Sequence, residues 1–380
     1  MEEVKKMNVL VLGGSGAGKS TLIRSISGIE VITGVGEGNT QKIDVYESNT
    51  WPIRCIDTKG FEYSVFEQWQ TIRQVKKYTK EQLSNKKYSS DTGIDAVWYC
   101  VEGTARRTFL HNIMLMNKAI KGWKNIPVFA VITKSYSEID IPENIEAVQQ
   151  AFAKSSSVNL KKIIPVVAEE YVINEEVRVA PKGIEELCLQ TLDCIDEAKK
   201  INQENRARMV LEQKRFTANG TVVGATASAV IIGAVPVPFP DSVILMPLET
   251  GLTKIIFKIY GVDYSVELVT AIVGSTMITT VAKTILKSIP IAGAVVNGVV
   301  AGAIVFALGE SVIAAAEAIY TEKLDPTKIN ETVEFISEKV KNSAIVGATI
   351  SYFEKNADEL QNKKPKEIFD SIVKSINKNK

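Results

Sequence analysis

The chain has 380 residues, 45 of them basic and 44 acidic, for a formal charge of +1. That length exceeds one comfortable hydrophobic core and predicts two units. The charge balance excludes a general field toward nucleic acid or anionic lipid, so no nucleic-acid partner is expected and any such attraction must be local.

The N-terminal stretch MEEVKKMNVLVLGGSG has an apolar run too short for a secretion signal, which predicts a cytoplasmic protein. From Met7 to about Ala168, short β-rich runs alternate with longer amphipathic stretches. This is the pattern of a mostly parallel sheet with helices on both faces. The runs are NVLVLG, QKIDVYE, WPIRCID, IDAVWYCV, IPVFAVIT and KIIPVVA, which predict six strands. Helices are expected at 20–27, 67–84, 109–121, 144–154 and from Ile184 onward. Cys55 and Cys100 fall inside two of the strands and read as inert core thiols; with Cys188, Cys194 and the single histidine His111 they offer no zinc-ligand spacing.

The first β run enters GGSGAGKS, Gly13 to Ser20, which fits GxxxxGK[ST] in full, and STLIRSI leaves it as a helix. Glycines allow backbone N–H groups to turn inward around an anion, and the helix aims its positive end at the same place. Gly14, Ser15, Gly16, Ala17, Gly18, Lys19, Ser20 and Thr21 are therefore candidate phosphate-binding positions. Lys19 would reach the β and γ oxygens, and the Ser20 hydroxyl would be a magnesium ligand.

The strand WPIRCID ends in Asp57 and continues as TKG, giving DxxG with Asp57 and Gly60. In a P-loop switch that aspartate holds magnesium and the glycine N–H meets the γ-phosphate. Between the two motifs lies GVGEGNTQKIDVYE, a segment of the kind that orders around a triphosphate. Thr40, just before a strand, is the candidate switch threonine and magnesium ligand, and Thr33 is its competitor.

With GGSGAGKST, GEGNTQ and DTKG in this order, the first 200 or so residues resemble the Era-like branch of translation-factor-class GTPases. More loosely, they resemble immunity-related GTPases and septins. DAVWYCV looks like the fourth strand of that group. The resemblance implies an α/β P-loop G domain, GTP and GDP as ligands, Mg2+ as the ion, and catalysis through Lys19, Thr40 and Gly60. It implies base contacts from Thr133, Lys134 and, in the loop after KIIPVVA, Ala168.

Two positions depart from it. Guanine-specific members carry [NT]KxD, whereas VITKSYS places Tyr136 at the aspartate position, which leaves GTP against ATP open; Glu138 and Asp140 are alternative carboxylates. Phe61 stands where many small GTPases have a water-orienting glutamine, which predicts slow hydrolysis assisted by another protein or by a second copy in a homodimer through the G domain. Arg106 and Arg107 read either as arginine fingers or as surface charges.

The charged stretch 196–215 reads as a solvated bridging helix that ends the G domain of 1–195. An all-α part follows, with an apolar helical region at 216–320 rich in small residues and amphipathic helices at 321–380. It resembles the helical domain that follows such G domains in bacterial membrane-associated proteins. Residues 288–309 carry no charge over a length able to cross a bilayer and contain Gly298 and Gly302 as GxxxG. A soluble bundle and peripheral or anchored association with the cytoplasmic membrane face, through lipid or a membrane protein, both remain open at this point. In the final helix Ile368, Phe369, Ile372, Val373 and Ile376 form an apolar face beside a lysine-rich one.

Overall fold

The computed structural model of the chain describes residues 6–35, 43–58, 93–104, 113, 125–154, 158–174, 178–195, 201–235, 242–274, 293–356 and 363–378. Thr40, Gly60, Phe61, Arg106, Arg107 and the expected helix at 67–84 lie outside these residues, as does all but Ile113 of the one at 109–121. The chain divides into two compact units: Met1–Tyr171 with Pro181–Gln213, and Val172–Ala180 with Lys214–Lys380.

The main sheet of the first unit is built from β1 (Met7–Gly13), β2 (Ile29–Val35), β3 (Ile43–Ser48), β4 (Ile53–Thr58), β5 (Ala96–Glu102), β6 (Pro127–Thr133) and β7 (Asn159–Pro165). They form one sheet in the order β2-β3-β4-β1-β5-β6-β7. The pairs β2/β3 and β3/β4 are antiparallel and the rest are parallel. The strand beyond the expected six is β2, whose sequence IEVITGV is dense in β-branched residues. Gly34 breaks that run just before the glycine-rich segment, and the strand is defined by its antiparallel pairing with β3. Thr33 lies within it, its backbone paired opposite Val45.

Successive side chains of a strand point to opposite faces. Leu10 and Leu12 accordingly enter a core with Val97, Tyr99, Val128, Ala130 and Phe152. Val9 and Val11 enter the opposite core with Leu22, Trp98, Phe129, Leu187 and Leu192. Both faces are thus covered, which is why the parallel strands read as continuous apolar runs rather than as alternation. The helices α1 (Lys19–Arg24), α2 (Ile141–Ala153) and α3 (Ile184–Asp193) supply part of that cover. Cys55, Cys100 and Cys188 are buried free thiols, and burial pushes the Cys100 thiol up to about 12.

The charged stretch expected to end near residue 215 continues without a break into the apolar one as α4 (Gln203–Gly233), a helix of 31 residues. Nothing in 203–233 forces a stop: its glycines cost propensity but no proline intervenes before Pro236. The second unit holds the rest of α4 with α5 (Ser242–Tyr260), α6 (Val266–Val273), α7 (Ala294–Tyr320), α8 (Ile329–Lys341), α9 (Ala344–Asn356) and α10 (Pro365–Lys378). α7 is the hub, against which α5, α8, α9 and α10 pack. Both α4 and α7 are long and apolar enough to cross a membrane by length and composition, yet 83% of the most apolar window of α7 is buried within the fold. Ile368, Phe369 and Ile372 of α10 are buried, with Phe369 edge-on to Phe306 of α7.

Candidate functional site

β1 ends at Gly13, where φ is +147° and an added Cβ would stand 2.5 Å from the Cys100 carbonyl oxygen of neighbouring β5. A side chain is excluded there by backbone, so the loop leaves the sheet flush with it. Gly18, at φ +77°, is the left-handed N-cap of α1, and its carbonyl accepts the first helical bond from Leu22 N at 2.9 Å. Ser15 and Gly16 are exposed at the loop's apex, Ala17 is buried, and Gly14, Gly18, Lys19, Ser20 and Thr21 are half-buried. An added Cβ at Gly16 would meet nothing within 4 Å, so the apex faces open space.

The Lys19 ammonium donates to the carbonyls of Gly13 and Gly14, each at 2.9 Å, which bends the side chain back over its own loop. An ammonium has three donors, so one N–H is left over from these two bonds. Ser20 Oγ donates to Asp57 Oδ2 at 3.1 Å, across the 37 residues that separate them in sequence. Asp57 is buried at the carboxyl end of β4. A hydroxyl and a carboxylate held together beside a glycine loop form a hard-oxygen donor set, and that chemistry fits magnesium. These two of the three predicted metal residues are thereby brought together.

The remaining predicted residues lie at the carboxyl ends of β6 and β7. Thr133 is buried, and its hydroxyl lies 2.8 Å from the Ala17 carbonyl and 3.1 Å from that of Val101, within donating distance of both. Its Cβ is the nearest atom to an added Cβ on Gly18, at 3.3 Å. Thr133 therefore supports the loop from beneath. Lys134 sits at φ +54°, a left-handed conformation uncommon outside glycine, and its ammonium pairs with Glu102 Oε1 at 2.6 Å. Glu102 also accepts from Thr104 Oγ1 at 2.9 Å, and the Lys134 bond leads the causes that hold its carboxyl below the usual range.

Tyr136, at the position of the expected aspartate, stacks on Tyr171 with ring centroids 4.1 Å apart and planes 14° from parallel. Burial, reinforced by Glu169, Tyr171 and Glu102 against the opposing Lys134, pushes the Tyr136 phenol up. Glu138 pairs with Lys182. Ala168 is half-buried, next to Val167, which exchanges both backbone bonds with Lys182 at 3.0 and 2.9 Å. Ser135 N donates to Val166 O at 3.2 Å, so the segments after β6 and β7 run side by side.

Three residues of this region went unread in the sequence. Glu102 ends β5, and the strand register sets it opposite Thr133; a charged residue closing an apolar strand beside the loop was its only signal. Tyr171 follows Ala168 by three residues without any motif. Gln213 is 1% exposed inside the charged stretch: its Oε1 accepts from Ser27 N at 2.9 Å and Trp51 Nε1 at 3.1 Å, and its Nε2 donates to Ser25 O at 2.8 Å.

Residues 8–134 match the family model described as 50S ribosome-binding GTPase, which is less than half of the chain. No curated protein matches it. Similar solved structures include a mutation variant of SsGBP, 16% identical at a TM-score of 0.29, covering 43% of this chain and 50% of that one. They also include the "probable GTP-binding protein engB", 20% identical at 0.33, covering 50% and 99%, and the G domain of the T. maritima FeoB iron transporter, 16% identical at 0.30, covering 50% and 98%. The chain thus spans about half the length of the SsGBP chain it matches. The family match and the glycine loop with its lysine together support a GTP-binding P-loop GTPase domain in the first unit, built on a mostly parallel seven-stranded sheet.

Proposed function

We propose that the chain is a nucleotide-dependent switch that binds GTP with magnesium, hydrolyses it slowly to GDP and phosphate, and passes its state to the helical unit. The observation that carries this reading is the Ser20 hydroxyl 3.1 Å from the Asp57 carboxylate beside the Lys19 loop. Magnesium held by Ser20 and Asp57 would neutralise charge building on the phosphates. Lys19 would exchange carbonyl partners for phosphate oxygens, and the loop amides would cradle the rest. Thr40 and Gly60 are the proposed switch contacts to the γ-phosphate.

Support for coupling comes from α4. Gln213, the last residue of the first unit, bonds the chain that leaves the P-loop helix α1 through Ser25 and Ser27. The next residue, Lys214, is also buried: its ammonium donates to Ile259 O at 2.7 Å and lies 5.3 Å from the Tyr320 ring centre, both in the second unit. Consecutive positions of one helix are thus anchored by buried polar contacts in successive units. Beyond them, Phe216, Val223 and Ile231 of α4 and Val235 just after it are exposed apolar side chains, suited to a membrane surface at the cytoplasmic face or to an apolar protein partner.

Calorimetric titration with GTP and GDP, with and without magnesium, tests the reading. Wild-type chain is expected to bind GTP in a magnesium-dependent way, and Lys19→Ala to weaken binding at least about a hundredfold, in line with loss of a charged contact. Hydrogen exchange in α5 and α7 should differ between the GTP and GDP states, and Gln213→Ala should erase that difference while GTP still binds. Binding indifferent to Lys19 would remove the reading; exchange that ignores nucleotide would reduce it to a scaffold.

A further inference from the structure

Guanine is told from adenine by groups that accept from its N1–H and N2–H2 edge. A carboxylate does so with two parallel bonds, and a site built on that pairing rejects an analogue lacking the donors by a large factor. At the matching position this chain carries Tyr136, whose single phenolic oxygen cannot span both donors. Of the carboxylates nearby, Glu102 is engaged with Lys134 and Thr104 and Glu138 with Lys182, while Glu169 acts on the Tyr136 phenol itself.

The same place holds a stacked aromatic pair. Lys134 takes its left-handed conformation, the Tyr136 N–H closes a tight turn onto the Lys134 carbonyl at 2.9 Å, and the Tyr136 ring lies flat on Tyr171. A non-glycine residue at positive φ is uncommon, and here it lies between Thr133 and the stacked Tyr136. The turn follows Thr133, which touches the phosphate loop at Gly18 and Ala17, so the pair stands at the carboxyl edge of the sheet next to the cup. Ligands of such sheets bind in the crevice outside that edge. Tyr171 is 44% exposed, which leaves aromatic surface available. Every base has a π-face, so an aromatic surface binds bases with little regard to which base it is.

We propose that Tyr136 and Tyr171 form the base platform of this site, holding a purine by stacking and discriminating only weakly between guanine and adenine. The inference rests on the phosphate cup of the proposed function and adds base choice to it. Tyr136 is the specificity-determining position: its presence opens the site to ATP as well as GTP.

Titrating wild type, Tyr171→Ala, Tyr171→Phe and Tyr136→Asp with GTP, ATP and inorganic tripolyphosphate tests it. Wild type should bind GTP and ATP within about tenfold of each other. Tyr171→Ala should weaken both by about tenfold and leave tripolyphosphate unchanged, and Tyr171→Phe should restore both. Tyr136→Asp should shift the ratio at least about tenfold toward GTP. A wild-type preference for GTP above about a hundredfold, or a Tyr171→Ala variant that binds all three ligands as wild type does, would overturn the platform while leaving the cup intact. Failure of all three ligands to bind would overturn the cup, and the platform with it.

Discussion

A methyl group added to Gly16 would meet nothing within 4 Å, whereas one added to Gly302 would stand 2.5 Å from Val230 Cγ2 and 3.2 Å from the Phe369 ring. Gly309 is equally closed, 2.6 Å from Val222. At Gly16 glycine leaves room for something that is not protein, and Gly16 and Gly18 supply the positive φ of the loop. At Gly302 and Gly309 it lets α4 and α10 lie close against α7, and the room is already filled. The same residue type, read only as composition, says glycine-rich in both places. The contacts separate a binding surface from a packing surface. They also decide what Gly298 and Gly302 do: an added Cβ at Gly298 would stand 2.7 Å from the Val230 carbonyl, so this GxxxG spacing serves close helix approach within the fold.

The largest expected effect tests that contrast directly. Gly302→Leu forces a branched side chain into Val230 and Phe369 and should cost about 3 kcal/mol, the upper end for overpacking, in the stability of the helical unit. Calorimetric melting should show the loss while GTP affinity holds. Gly16→Ala should cost only the strain of a left-handed alanine, about 1 kcal/mol. Equal losses at the two positions would break the comparison.

Next comes a carboxyl buried in the helical unit. Glu249, in α5, is 2% exposed, and its Oε1 has no hydrogen-bond partner among the described residues. Burial pushes its carboxyl up to about 8 from 4.5. Between those two values the folded state keeps a proton that the unfolded chain has released, so stability should be fully present below about 4.5 and fall as pH rises toward 8. The loss by pH 7 is on the order of 3 kcal/mol. Glu249→Gln should flatten the slope across that window and be more stable than wild type at pH 8. An unchanged slope in urea titrations at pH 5, 6.5 and 8 would show that the carboxyl is ionised and satisfied.

The contrast between the units also explains what could be read from sequence. The cup was legible because its chemistry fixes residue types at fixed spacing, with a strand on one side and a helix on the other: Gly13, Lys19, Ser20 and Asp57 all follow from that. Six of the seven strands of the main sheet were legible, β1, β5 and β6 most clearly because a sheet covered on both faces forces unbroken apolar runs. β2 was not, since its pairing with β3 is a tertiary fact laid over a sequence that ends in GVGEG. In the helical unit no chemistry dictates spacing. A buried core helix and a membrane span have the same composition, so the packing of α5, α8, α9 and α10 against α7 could not be read from it. Gln213 and Tyr171 were invisible for a related reason, because each acts through partners far away in sequence and neither residue type is rare where it stands.

Thr133 sharpens the comparison at the scale of a single hydrogen bond. Its hydroxyl reaches Ala17 O at 2.8 Å beneath the open loop. Thr133→Val keeps the shape and leaves the Ala17 carbonyl without this donor, so the cost in stability should be about 1 kcal/mol. If the loop needs this support to keep its amides aimed inward, GTP and tripolyphosphate affinities should fall together by a few-fold, because the defect lies under the phosphates. A loss for GTP alone would place Thr133 at the base instead, as the family resemblance implies, and would move the boundary between cup and platform by one residue.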